Sequence, residues 1–486
     1  MKECKIIVKD EVNCKIEGLE LDTRRTLANK FKYEVPYARH LPAVRLGRWD
    51  GKVSYFQLGG STYVNLLSEI IPILEQQNYN IELEDIRDYS VSFNFTPINQ
   101  NSYQHIMWPK GHPRAGEPME LHEHQVEVIN NFFNNPQSIQ EVATGAGKTV
   151  ITAALSHAVE PYGRSIIVVP NKSLVTQTEK DYINMGLDVG VYFGDRKDYA
   201  HQHVICTWQS LNNIIKNSKD IVGWVTMGEF LKDVVCLIID ESHMAKADVL
   251  KTMLTGPMSH IPIRWGLTGT IPKEPFEFQA LFCSIGPLIN RLSASELQQK
   301  GLLAQCHVNI VQFVDYVEHK NYQSELKYLL EESDRLDAMA ELIKEVNETG
   351  NTLVLVDRIS AGTALVARLG SRAVFVNGGT KAAERQEHYD EVAEATDKII
   401  VATYGVAAVG INIPRIFNLV LIEPGKSFVR VIQSIGRGIR KAEDKDFVQI
   451  WDITSTCRFA KRHLTKRKQF YKDANYPFTQ EKLEWQ

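Results

Sequence analysis

Short, unbroken apolar runs alternate along this chain with longer stretches whose apolar positions recur at helical spacing. Ser165 to Val169, His203 to Cys206, Val234 to Ile239 and Arg264 to Leu267 form one set of runs. Thr352 to Val356, Ala373 to Val376, Lys398 to Val401, Asn418 to Ile422 and Phe447 to Trp451 form a second. Such runs predict strands covered on both faces, and helical stretches between them predict parallel sheets. Two α/β lobes follow, joined near Ser295 to His307, where a helix ends ahead of Gly301. Before them, Met1 to about Ser102 carries short β-like runs (CKIIV, KVSYF, YSVSFNF) and one helical stretch near Tyr63 to Gln77. That pattern predicts a small α+β accessory domain. The Pro/Gly-rich passage from Met107 to Met119 predicts a linker. The expected segments are 1–106, 107–119, 120–296, 297–456 and a basic extension over 457–486.

Composition narrows the class. With 486 residues, 44% of them hydrophobic, the chain can bury two or three cores of ordinary size. No stretch is apolar for long enough to span a bilayer, and MKECKIIVKD at the N-terminus is too charged for a signal peptide. A cytoplasmic protein without membrane contact is expected. The seven cysteines are scattered, with no C-x-x-C pair and no histidine at ligand spacing, so reduced core thiols are expected. Net charge is only −4, so affinity for a polyanion must come from local patches.

Two strings carry the chemistry. In Ala143 to Thr149 (ATGAGKT), Gly145 and Gly147 let the backbone turn its N–H groups, with those of Thr144 and Ala146, onto a polyphosphate. Lys148 then reaches the β/γ-phosphates and the Thr149 hydroxyl ligates Mg²⁺. In Ile238 to His243 (IIDESH), Asp240 and Glu241 emerge at the carboxyl end of a buried strand, where parallel sheets bind ligands. Asp240 is expected to hold Mg²⁺ through water, and Glu241 to orient or deprotonate the attacking water. Together the strings specify a nucleoside triphosphatase. Val142 stands where the full phosphate-loop pattern has glycine, and Gly145 can still supply the turn.

Basic patches lie near both ends. Arg24, Arg25, Lys30, Lys32, Arg39, Arg45, Arg48 and Lys52 face only Glu34 and Asp50, with Phe31, Tyr33, Tyr37 and Trp49 among them. Arg458, Lys461, Arg462, Lys466, Arg467, Lys468 and Lys472 face only Asp473, with Phe459, Phe470 and Tyr471 nearby. Cations neutralise phosphates and aromatic faces stack bases, so both patches are candidate nucleic-acid contacts; a solvated helix face is the competing reading. In the second lobe, QSIGRGIR at Gln433 to Arg440 sets Arg437 and Arg440 three apart on one face of a predicted helix. A guanidinium delivered to a γ-phosphate stabilises transition-state charge and is worth roughly 10³ to 10⁵ in rate.

The motif series resembles the superfamily 2 helicases over about Glu120 to Ser455. That likeness implies two RecA-like lobes in tandem. It implies an adenine-reading role for Gln125 and nucleotide proximity for Gly410 and Gln433. Strand contacts are implied for Pro170, Thr207, Gln209 and Thr403, and coupling of hydrolysis to strand binding for His243 and for Thr268, Gly269 and Thr270 of LTGT. Asn412 stands where the family usually has Asp. Within the superfamily, VRLGRWDGKVSYF at Val44 to Phe56 resembles part of the accessory domain of phage recombination helicases, and the branch-migrating type more loosely. The resemblance implies an ATP- and Mg²⁺-dependent, 3′ to 5′ DNA helicase acting on forked, four-way or duplex–single-strand junctions, with Arg45, Arg48, Trp49 and Lys52 among its DNA contacts. RNA helicases, duplex translocases that leave strands paired, and a scaffold with a dead ATP site are the competing readings. LTGT, rather than the S-A-T general in the RNA families, counts against the first.

Overall fold

The computed structural model describes residues 2–88, 91–109, 114–217, 225–241, 247–410, 413, 415–425 and 444–485. The chain divides into two compact units. One comprises Met1–Val142 with Gly147–Arg291, and the other Leu292–Gln486 with the four residues Ala143–Ala146.

The first unit holds an eight-stranded sheet in the order Arg196–Lys197, Val189–Phe193, His203–Thr207, Arg164–Val169, Val234–Ile239, Ile263–Thr268, Gln137–Val142, Leu288–Leu292. From Val189–Phe193 across to Gln137–Val142 every neighbouring pair is parallel. Ile166, Val168, Leu237 and Ile239 are fully buried, as unbroken apolar runs require. The carboxyl ends of the central strands therefore lie at one edge of the sheet, beside Gly147 and Lys148 at the start of helix Lys148–Val159.

The accessory region carries a four-stranded sheet, Ser61–Tyr63, Asn13–Glu17, Lys2–Val8, Tyr79–Asp85, and a separate pair, Lys32–Glu34 with Lys52–Ser54. Its core is not self-contained. Ala280 and Cys283 of helix Pro275–Ser284 complete a cluster with Ile6, Leu27, Phe56 and Leu74. The Tyr55 hydroxyl donates to the Phe276 carbonyl at 2.7 Å, Tyr33 to Gln279 at 3.2 Å, and the Asn65 amide to the Phe282 carbonyl at 2.9 Å.

The run YSVSFNF forms no strand among its described residues, 91–95. Its alternate apolar residues serve a different purpose: Phe95 stacks on Phe133 at 4.9 Å and meets Trp265 at 5.6 Å, while Phe93 meets Tyr162 at 5.3 Å. Side chains take the place of a partner strand for the backbone. Asn130 pairs with both the N–H and the carbonyl of Ile98, and Tyr162 does the same for Asn94. Periodicity of two thus reports a half-buried extended segment, with or without a ladder.

The second unit is a seven-stranded sheet in the order Ala373–Val376, Ile399–Thr403, Thr352–Val356, Asn418–Ile422, Phe447–Ser455, Gln305–Phe313, Phe478–Leu483, with every neighbouring pair parallel. Helix Arg458–Asp473 packs through Ala460, Leu464, Arg467 and Tyr471, a helical spacing that sets Arg467 on the core face. Arg467 is fully buried, with its guanidinium on both Asp452 oxygens at 2.8 and 2.9 Å and on the Gly425 carbonyl at 2.8 Å. The expectation that Arg467 contacts a polyanion is therefore corrected. A charge count along the chain does not separate the faces of a helix, and this charge is consumed internally. All seven cysteines are buried and unpaired, and no described helix is long and apolar enough to cross a membrane.

Candidate functional site

Strand Gln137–Val142 runs into the loop that ends at Gly147, and helix Lys148–Val159 begins at the next residue. Gly145 and Gly147 have φ of 93° and 82°, a region open to glycine at little cost, so the departure at Val142 leaves the turn intact. A Cβ on Gly147 would lie 2.3 Å from the Gln125 amide nitrogen. Gln125 thus sits against the loop, while its side-chain oxygen accepts the His122 N–H at 2.9 Å and caps helix Glu123–Asn134. Thr149, one residue into its helix, lies in the first turn, where N–H groups and the helix dipole favour anions.

Asp240 and Glu241 follow strand Val234–Ile239 and are each 9% exposed. Glu241 has φ 49°, a left-handed conformation costing roughly 1 to 2 kcal/mol for a residue with a Cβ. Its carboxylate is the hub of the site. One oxygen meets the Lys148 ammonium at 2.5 Å, and the other accepts the Gly269 N–H at 3.3 Å. The Glu241 N–H in turn donates to Asp240 at 2.9 Å. Thr268 and Thr270 are buried and bonded to each other through the Thr268 hydroxyl. A single carboxylate therefore joins the phosphate-loop lysine to LTGT. His243 lies outside the described residues, as do Gln433, Arg437, Arg440 and Asn412.

Glu141 was missing from the expected set. It accepts the Ile271 N–H at 3.3 Å and approaches Arg291 at 3.5 Å, and burial raises its carboxyl above the usual range. Its place at the end of the strand feeding the phosphate loop was the available signal.

Two of the expected strand contacts are neighbours: Pro170 directly follows strand Arg164–Val169, and Thr207, in register with Val169, ends the adjacent parallel strand. Thr403 ends strand Ile399–Thr403 of the second unit. Thr207 is buried, its hydroxyl accepting the Ser210 N–H at the start of helix Trp208–Asn217, whereas Gln209 is exposed. Gly410 is the last residue of helix Tyr404–Gly410.

Of the N-terminal cations, Lys30 and Lys32 are paired with Glu69 and Asp50. Arg39, Arg45, Arg48 and Lys52 are exposed, and none of the four forms a side-chain ion pair with a carboxylate among the described residues; the Lys52 N–H donates to Asp50 at 3.1 Å and the Arg39 guanidinium donates to His40 at 3.2 Å. Most aromatics of that patch face inward: Phe31 is buried, Tyr33 packs edge-on to Tyr55, and the Trp49 indole N–H donates to the Lys52 carbonyl. At the other end, Arg458, Lys461, Arg462 and Lys466 are exposed.

No group of three or more potential metal-binding side chains occurs among the described residues. The Thr149 hydroxyl and the Asp240 carboxylate are each hard oxygen donors, the ligand type that Mg²⁺ takes together with substrate phosphates and water.

Comparison with known proteins agrees with this geometry. Residues 118–273 match the family described as "Type III restriction enzyme, res subunit", and residues 334–442 match the helicase conserved C-terminal domain. The chain is 23% identical over 472 residues to the ATP-dependent DNA helicase uvsW of Enterobacteria phage T4, covering 93% of this chain and 90% of that one. It is 22% identical over 376 residues to the DNA 3′-5′ helicase XPB of Kineococcus radiotolerans, covering 75% and 65%. Among solved structures, the fold is shared with the DNA-bound type ISP restriction-modification enzyme LlaBIII, at a TM-score of 0.57 and 14% identity over 86% of this chain and 34% of that one. With the phosphate loop, the strand-end carboxylates and both helicase domains in place, the chain is a superfamily 2 helicase, an ATP-hydrolysing enzyme that resembles uvsW.

Proposed function

We propose that this enzyme is a DNA helicase that translocates 3′ to 5′ and unwinds or branch-migrates forked and four-way DNA. The observation that carries the reading is the Glu241 carboxylate shared between Lys148 and Gly269. A triphosphate entering the loop competes with Glu241 for the Lys148 ammonium. Glu241 is then released toward the attacking water while it still touches LTGT, so nucleotide state and the strand-contacting segments change together. Mg²⁺ held by Thr149 and Asp240 would neutralise charge on the β- and γ-phosphates. We assign nucleotide contacts to Gln125, Thr144 to Thr149, Gly410 and Gln433, and transition-state stabilisation to Arg437 and Arg440. Backbone-tracking contacts are assigned to Pro170, Thr207, Gln209 and Thr403, which carry no sequence information.

DNA as the substrate, and the polarity, are supported by the names of the relatives uvsW and XPB. The segments 1–106, 120–296 and 297–456 are assigned as DNA-binding accessory domain and two motor lobes, with 107–119 as linker and 457–486 as basic extension. An intracellular setting is consistent with this role.

The test is ATP-dependent processing of a labelled mobile four-way junction, with Lys148→Ala as control. Conversion to forked duplex products by the wild type alone supports the proposal; intact ATP turnover without conversion overturns it. A second reading, translocation on duplex DNA without strand separation, is favoured by the restriction-subunit family match and by 24% identity over 294 residues to the DNA 3′-5′ translocase XPB2 of Sulfurisphaera tokodaii. Displacement of a third strand from a triplex, with no junction products, would select it.

A further inference from the structure

The sequence left open which element parts a duplex, and the accessory region contains a feature suited to it. Between strands Lys32–Glu34 and Lys52–Ser54 the chain forms a compact cap of two short helices, Ala38–His40 and Pro42–Arg45. Leu41 and Leu46 bracket the second helix and are 38% and 64% exposed, and Tyr37 is 51% exposed. Scattered exposed leucines need no explanation. Here, however, three large exposed apolar residues fall within ten positions, and the exposed cations Arg39, Arg45, Arg48 and Lys52, none of them in a side-chain ion pair among the described residues, alternate with them along the chain.

The cap is braced from beneath. Val35, Ala38, Val44, Trp49 and Val53 pack with Phe276 into a small core. Backbone bonds from Leu46 to Pro42, Gly47 to Val44 and Arg48 to Ala43 close its turns at 2.9, 3.0 and 2.8 Å. Gly51, at φ 73°, lets the chain pass tightly below, since a Cβ there would stand 3.4 Å from that of Ala38. Tyr37 meets Phe276 edge-on at 6.0 Å. Phe276 lies in the helix that begins five residues after Thr270 of LTGT.

We propose that Leu41 and Leu46 form a strand-separating wedge that lies against the terminal base pair at a DNA branch point, with Arg39, Arg45, Arg48 and Lys52 on the flanking phosphates. This rests on the junction-processing function above. Aliphatic side chains placed against a base step unstack it, and cationic contacts to the opened strands offset that cost. The charge of the rim selects the occupant: Arg39, Arg45, Arg48 and Lys52 outnumber the single carboxylate between Val35 and Ser54, Asp50, which is already paired with Lys32, and such a surplus of cations suits phosphates. A rigid mount is equally necessary, because a wedge that yields does not separate bases.

The experiment compares two double variants of nearly equal side-chain length, Leu41→Gln with Leu46→Gln, and Leu41→Met with Leu46→Met. Each is tested with the full chain for ATP turnover on single-stranded DNA, for junction affinity, and for junction conversion with 2-aminopurine at the branch point. The Gln pair should lose at least tenfold in conversion and lose the 2-aminopurine signal, while turnover on single strands and affinity change less than about twofold. The Met pair should retain both readouts within about threefold, which shows that polarity rather than misfolding causes the loss. Wild-type conversion by the Gln pair overturns the wedge. A wild-type dimer in sedimentation that the Gln pair disperses also overturns it, by making the cap a self-interface. Failure of the wild type itself to convert junctions would instead refute the function on which the wedge rests.

Discussion

A glutamate with left-handed backbone follows a buried parallel strand in each unit, Glu241 at φ 49° and Glu423 at φ 40°, and each is approached by a cation. The first pair is the less deeply buried: the side chains of Lys148 and Glu241 are 10% and 11% exposed beside the phosphate loop, against 0% and 6% for Arg335 and Glu423. The second is closed. Arg335, at 0% exposure, reaches Asp315 at 3.2 Å, Glu423 at 3.4 Å and the Leu329 carbonyl at 2.6 Å, and the Thr454 hydroxyl donates to Glu423. A charge pair at a strand end therefore has two uses in this fold. Left within reach of solvent, it can exchange partners with a triphosphate. Held by its own arginine and by Thr454, it ties helix Ser333–Asn347 to the strand ends of the second sheet.

Substitutions at the two glutamates should separate these uses. Glu241→Gln should lower kcat by roughly 10²- to 10⁴-fold, the range of a positioned base, with its thermal midpoint near that of the wild type. Steady-state ATPase kinetics beside a melting curve check both halves, and wild-type turnover would remove Glu241 from the reaction. Arg335→Ala should act on stability instead, by about 3 to 5 kcal/mol, because it leaves Asp315 and Glu423 buried without their partner. Urea unfolding measures this, and an unchanged midpoint would show that the pair is not sealed.

The next effect is one of pH. Burial, only partly offset by Arg335, pushes the Glu423 carboxyl up to about 7. An acid raised in the fold contributes stability that is fully present below its unfolded value near 4.5 and is lost as pH rises through about 7. Glu423→Gln should flatten that part of the stability profile between pH 4.5 and 7. An undiminished slope would place the titration elsewhere. The smallest effect tests the same contrast within helix Arg458–Asp473. Lys461→Ala with Lys466→Ala, on its exposed face, should make the salt dependence of DNA binding shallower by about 0.7 to 0.9 per lost phosphate contact without unfolding the chain. Arg467→Ala, on the buried face, should instead cost stability through Asp452.

Much of this was legible in the linear chain because the signals are local. Unbroken apolar runs mark the central strands of both sheets, since a strand covered on both faces has no polar side to show. ATGAGKT and IIDESH place Lys148, Asp240 and Glu241 at strand ends, because a parallel α/β sheet brings its carboxyl edges together. YSVSFNF misled, because alternation reports burial of one face and cannot say whether a partner strand or side-chain groups such as the Asn130 amide and the Tyr162 hydroxyl satisfy the backbone. Arg467 misled because seven cations on one helix look alike until its core face is known.

The sequence by itself determined the fold class, the phosphate loop and the carboxylates that face it, because those depend on periodicity and on residue types at fixed short spacings. Only the tertiary structure decided that Glu241 joins Lys148 to Gly269, that the accessory region shares its core with helix Pro275–Ser284, and that Arg467 is sealed while Leu41 and Leu46 are exposed. Each of these depends on which distant segments meet, and burial is a property of that meeting rather than of the residue.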